Sequence, residues 1–253
     1  TYTIQAGDAS SIGDADAFGI IGDVINEIGG DLSSDAGDSV ALAGLTGIDS
    51  VAFERTAIRF EDDDATLRMT TTNINEDGTT TNDVVHIFDH YNEDLPFRQV
   101  EQLLLDEGWE DDQIWNLVSG TNGETGDILT GGAYRDVLVG GSGHDVLTSG
   151  GGIDVMQGGE GNDIFVLGDS DYAGTVADAH GHVTMIRDYV TGQDDIDLSA
   201  LGITAEDVSV EASGGHSYLV NTSGETPVVL AELTGTTLEE DDINLVNLAA
   251  LTG

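Results

Sequence analysis

Five aspartates, Asp127, Asp136, Asp145, Asp154 and Asp163, each stand nine residues from the next. A six-residue, glycine-rich turn leads into each of them: NGETGD at 122–127, GGAYRD at 131–136, GGSGHD at 140–145, SGGGID at 149–154 and GGEGND at 158–163. Glycines at the first, second and fourth places let the backbone take positive φ and aim carbonyl oxygens inward, and the aspartate adds a carboxylate. Such a turn offers an all-oxygen shell suited to a hard cation.

Two residues after each aspartate comes an apolar residue: Leu129, Leu138, Leu147, Met156 and Phe165. The three residues between turns make a very short strand with one side chain facing inward. No single repeat could bury that residue alone, so the turns must stack into a parallel solenoid. This repeat resembles the RTX, or haemolysin-type, calcium-binding family over about residues 122–166.

The resemblance implies a parallel β-roll in which one coil takes two repeats and each calcium ion sits between turns eighteen residues apart. It assigns one ion to Gly123, Thr125, Asp127, Gly140, Ser142 and Asp145. A second falls to Gly132, Tyr134, Asp136, Ser149, Gly151 and Asp154, and a third to Gly141, Gly143, Asp145, Gly158, Glu160 and Asp163. All but the aspartates act through their carbonyls, and Asp145 serves two ions. Thr125 and Tyr134 replace glycine at the fourth place, which weakens the glycine-permitted backbone, so the first two turns are expected to bind less tightly than those at 140 and 158.

Downstream, RDYVTGQDDIDLSALG at 187–202 resembles the stretch that closes the β-roll in serralysin-type secreted proteases. The likeness implies two more calcium-holding aspartates, Asp188 and Asp194. Asp195 stands where that family usually has lysine.

Composition suits such a chain. Forty-nine acidic residues against six basic ones, all arginine, give a formal net charge of −43, a self-repulsion that cations must relieve before the chain can compact. The same charge leaves no basic surface for nucleic acid, and it also suits a halophilic or marine surface kept hydrated by carboxylates. Extracellular calcium modules bind at about 0.1 to 1 mM, so the chain is expected to stay unfolded inside a cell and to fold outside it. There is no cysteine, which excludes disulfide staples, and no apolar run of about eighteen residues that would span a membrane.

The chain starts at Thr1 without a signal peptide, so a processed product or a fragment is expected. RTX relatives leave through type I secretion machinery guided by a C-terminal segment, and EEDDINLVNLAALTG at 239–253 resembles one; the plainer reading is a last strand with a tail. Ahead of the repeats, residues 15–28 place Phe18, Ile21, Val24, Ile25 and Ile28 at helical spacing, and Pro96 to Glu107 does the same with Phe97, Val100, Leu103 and Leu104. Residues 39–45, 50–60, 65–71 and 83–91 have the β-branched and aromatic content of strands, with a turn at NEDGTTTND.

No zinc-protease H-E-x-x-H or nucleophile elbow G-x-S-x-G occurs. His86, Asp89 and His90 could suggest a metal site, but strand geometry sends His86 and Asp89 to opposite faces, which favours a structural role. The acidic run EDDD at 61–64 reads as a solvated loop or an extra calcium site.

These readings converge on a mainly β fold: a mixed α/β N-terminal domain (1–118), a calcium-binding β-roll (119–170) and a C-terminal β extension (171–253). The expected function is calcium-dependent folding of a secreted protein with a surface, adhesion or matrix role, with about three or more Ca2+ ions and with cell-surface components or self-association as partners. The alternative is the C-terminal part of a secreted hydrolase or polysaccharide-modifying enzyme. In either case no catalytic residues are expected in this chain.

Overall fold

A computed structural model describes residues 2–5, 23–25, 39–43, 51–56, 66–74, 80–87, 102–105, 114–120, 125–170, 172 and 174–248. The chain forms two compact units, Thr1–Leu117 and Val118–Gly253.

In the first unit, β1 (Tyr2–Gln5), β3 (Ser39–Ala43) and β7 (Gln102–Leu105) run parallel in that order, and β8 (Ile114–Ser119) pairs antiparallel with β7. A second sheet has the order β2 (Asp23–Ile25), β6 (Thr80–Ile87), β5 (Thr66–Ile74), β4 (Val51–Thr56). The four expected strand segments are therefore strands. Of the expected turn at NEDGTTTND (75–83), residues 80–83 instead belong to β6, where they pair with Thr71 to Ile74 of β5; residues 75–79 lie outside the described residues.

Among the described residues, the parts of the two expected helices are strands instead. Asp23–Ile25, inside the first, pairs parallel with β6, and Gln102–Leu105, inside the second, lies between β3 and β8. Short apolar runs satisfy helix and strand spacing alike, and pairing decided for strand. His86 lies in β6, whereas Asp89, His90 and the run EDDD at 61–64 lie outside the described residues.

The second unit is the roll. One face carries β9 (Ile128–Thr130), β11 (Val146–Thr148), β13 (Ile164–Val166), β15 (Asp195–Asp197) and β19 (Leu245–Val246), all parallel neighbours. The other carries β10 (Asp136–Ser142), β12 (Val155–Glu160), β14 (Thr184–Ile186) and β18 (Val228–Leu233), also parallel. The hairpin of β16 (Val208–Ser213) and β17 (His216–Asn221) completes this face, turning through Gly214 and Gly215 at φ 63° and 93°.

Register fixes the coil length. Leu138 faces Met156, and Leu147 faces both Leu129 and Phe165, so paired residues stand eighteen apart and one coil takes two repeats. The five phased apolar residues are all buried in one core with Ile186, Ile196, Leu198, Leu219 and Leu233. The core runs on from the repeats into the strands after residue 170, since Ile186, Ile196, Leu219 and Leu233 share it with Leu129 to Phe165.

Candidate metal centre

The aspartates form ladders along the edges of the roll. Asp145 Oδ1 accepts the Asp127 N–H at 2.6 Å, Asp163 Oδ1 accepts that of Asp145 at 2.8 Å, and Asp194 Oδ1 accepts that of Asp163 at 3.0 Å. On the other edge Asp154 Oδ1 accepts the Asp136 N–H at 3.0 Å. The carboxylates of Asp145, Asp154, Asp163 and Asp194 are thus each held with one oxygen on the preceding coil, which fixes where the other can point.

That second oxygen turns back over its own turn. Asp136 Oδ2 accepts the Gly132 N–H at 2.7 Å, and the Oδ2 atoms of Asp145 and Asp163 lie against Gly140 and Gly158, where any Cβ would collide with them. Asp136, Asp145, Asp154, Asp163 and Asp194 are all buried. Asp154 Oδ2 is a buried oxygen without a hydrogen-bond partner.

Burial without a counter-charge pushes carboxyls upward. Desolvation raises Asp154 to about 8, with the neighbouring Asp136 charge adding to it. Desolvation likewise raises Asp163 to about 6, helped by the charges of Asp145, Asp194 and Asp188, and raises Asp188 to about 6, with Asp194 adding.

The turns supply the remaining oxygens. In the third, fourth and fifth turns the second and fourth residues are glycines at φ between 83° and 138° (Gly141, Gly143, Gly150, Gly152, Gly159 and Gly161). Gly161 shows the double need: a Cβ there would land on the Gly143 carbonyl oxygen of the coil below, at a φ of 138° that side chains avoid. The first two turns differ. Gly132 does not take positive φ, the fourth places hold Thr125 and Tyr134, and Tyr134 is exposed. Ser149, at the first place of the fourth turn, leaves the glycine conformation of that turn intact, and its hydroxyl accepts the Gly168 N–H at 2.8 Å.

The structure brings together the turns that the eighteen-residue pairing joins. Gly141 faces Gly159 and Ser142 faces Glu160, while the Gly143 N–H donates to the Glu160 carbonyl at 2.9 Å. On the other edge the Gly151 N–H donates to the Gly132 carbonyl at 2.9 Å. These two carbonyls already take part in coil-to-coil bonding, although an oxygen with two lone pairs can accept a bond and still face a cation. Gly123 lies outside the described residues.

Asp188 and Asp194 lie on the edge of Asp127, Asp145 and Asp163. Asp188 accepts the Gly158 and Gly159 N–H groups at 2.9 and 2.8 Å, and Asp194 Oδ2 accepts the Val190 N–H at 2.7 Å. They take the place of a next turn, with Asp194 thirty-one residues after Asp163 instead of eighteen, because the chain after residue 167 makes an excursion before β14. Asp195 lies beside Ile164 and accepts a hydrogen bond from Asn244.

Buried carboxylates, an orphaned buried oxygen and glycine-cleared carbonyls form an oxygen-only donor set. It fits a hard divalent cation and none of the softer metals. Sequence reasoning missed one further cluster, His180, His216 and Glu232, because its members stand far apart in the chain and share no motif.

No curated protein matches the chain. Among solved structures it is similar to the AlgE6R3 subunit of the Azotobacter vinelandii mannuronan C5-epimerase, at 29% identity over 53% of this chain and 80% of that one; the TM-score of 0.39 is too low to carry an argument. Residues 104–234, just over half of the chain, match the family described as Peptidase M10 serralysin C terminal. With that match covering the ladder of turns and the strands that close it, the chain belongs to the serralysin C-terminal family.

Proposed function

We propose that this chain is a calcium-binding RTX module of a secreted protein and that calcium drives its folding outside the cell. The supporting observation is the eighteen-residue register: it stacks turn on turn and ties the buried carboxylates of Asp145 and Asp163 to the turn of the preceding coil. Residues 122–127 with 140–145, 131–136 with 149–154, and 140–145 with 158–163 would hold three ions. Asp188 and Asp194 would add oxygens at the closing coil. Calcium, when bound, supplies the positive charge that these carboxylates need; the chain supplies their positions.

The biological role that follows is that of a calcium-dependent surface, adhesion or matrix protein exported by type I secretion machinery. A second reading is favoured by the family itself, since a serralysin C-terminal module is a C-terminal part of a peptidase: the chain would then be the calcium-folded portion of a longer secreted enzyme. In both readings the chain itself carries no catalysis.

Equilibrium dialysis against calcium in excess magnesium tests the proposal. About three or more ions per chain are expected at millimolar calcium, and a chain that takes up none would contradict it. The purified chain should show no protease, esterase or lyase turnover. Activity on casein, short esters or alginate that a single substitution within residues 1–118 abolishes would refute that expectation.

A further inference from the structure

Glu232 sits in β18 directly opposite Tyr218 of β17 and beside Met185 of β14, and it is wholly buried. Tyr218 and Met185 are buried with it, so Glu232 belongs to the outer side of this face, away from the roll core that Ala231 and Leu233 join. The excursion 168–183 covers that side: Tyr172, Val176, Ala179 and Val183 pack on Tyr218, Val220 and Val229. His180 is carried in by the excursion. His216, two residues before Tyr218 on β17, is the diagonal cross-strand neighbour of Glu232.

The three meet closely. His180 Nδ1 lies 2.8 Å and His216 Nδ1 lies 3.1 Å from the same oxygen, Glu232 Oε1. One ligand atom from each of the three residues falls within 4.8 Å of the others, and the two rings stack at 5.1 Å. Glu232 Oε2 is buried without a hydrogen-bond partner. The Gly235 N–H donates to His216 Nδ1 at 3.0 Å, so that nitrogen carries no proton to give the carboxylate; its one lone pair takes the Gly235 bond, which a metal bound at Nδ1 would replace. Two acceptors in such contact, beside an orphaned carboxylate oxygen, call for a positive charge between them.

We propose that His180, His216 and Glu232 form a second metal site, for a zinc-class divalent transition ion. Two imidazoles and one carboxylate suit such an ion, whereas calcium takes oxygen ligands and would leave the imidazoles unused. His180 is about half exposed, with 47% of its side chain accessible, so a solvent molecule can complete the coordination from outside. The ion would fasten the excursion to the β17–β18 hairpin. This site stands apart from the aspartate ladders and does not depend on what they bind.

The test is titration of the full chain with Zn2+, and with Co2+ as a spectroscopic probe, in millimolar calcium so that the acidic surface is already occupied. One equivalent of Zn2+ should bind, and Co2+ should give the visible absorption of nitrogen ligation. Outer-shell partners alone are worth about 10- to 100-fold in metal affinity, so His180→Ala and Glu232→Gln should each weaken zinc by at least about 10-fold. Both should leave the calcium-induced circular dichroism signal unchanged. Should Glu232→Gln fail to fold, the half-exposed His180→Ala decides alone. Zinc binding that is absent in calcium, or equally tight in His180→Ala, would overturn the proposal.

Discussion

At the scale of single residues, Asp145 and Asp163 each do two jobs. One oxygen hydrogen-bonds the coil below, and the other is buried over its own turn. Asp145 is the middle rung between Asp127 and Asp163, whereas Asp127 is an end rung. Losing one partner of a buried charged site costs about 3 to 5 kcal/mol, so Asp145→Ala should abolish cooperative calcium-induced folding and Asp127→Ala should only shift its midpoint. Calcium titration of both mutants decides it, and equal midpoints would rule out ions shared between coils. The raised carboxyls add a pH dependence. Their metal-free folded values, about 8 for Asp154 and about 6 for Asp163 and Asp188, stand above the ordinary 3.8, so the folded state binds more protons than the unfolded. Without calcium the roll should therefore lose stability as pH rises from about 4 to 8, and calcium affinity should fall as pH drops through that window, where protons compete. Metal-free circular dichroism at pH 5 and pH 8 checks the first; flat behaviour would contradict it.

At the scale of elements, the turn conformation separates the first two turns from the last three. Gly161→Ala should cost at least about 2 kcal/mol, because its Cβ meets the Gly143 carbonyl at a strained φ. Gly132→Ala should be tolerated: its φ is ordinary and the nearest atom to the new Cβ is 3.7 Å away. Thermal unfolding in calcium compares the two, and equal losses would contradict the account. This contrast explains what was legible in advance. The nine-residue phase reports a contact that recurs in every repeat, so the stacked turns and their inward residues could be read from spacing, whereas the two-repeat coil and the eighteen-residue pairing of its aspartates were legible only through the family resemblance. In the first unit no such repetition exists. The helical spacing of Leu103 and Leu104 was outweighed by neighbours on both sides, β3 and β8, that lie far along the chain or beyond a loop. Likewise His180, His216 and Glu232 meet only because the excursion folds onto the hairpin, a pairing that no local pattern announces. Asp188 and Asp194 were legible only through their likeness to a closing stretch, since the excursion breaks the eighteen-residue phase before them.

At the scale of the whole molecule, a net charge of −43 opposes compaction, and the buried aspartates of the roll lie among one another's charges. Hydrophobic burial supplies the core of the roll, with Leu138, Leu147, Met156 and Phe165 fully inside, but that core forms only if the turns at its edges close. Closing them brings like charges together, so folding and cation binding become one equilibrium. Magnesium should replace calcium poorly, because it demands shorter, near-octahedral coordination and sheds water reluctantly. The most direct measurement is far-ultraviolet circular dichroism of the chain with EGTA and then with rising calcium. A loose spectrum in EGTA that converts cooperatively to β structure at millimolar calcium, and not at equal magnesium, is the predicted result; identical spectra with and without calcium would contradict it.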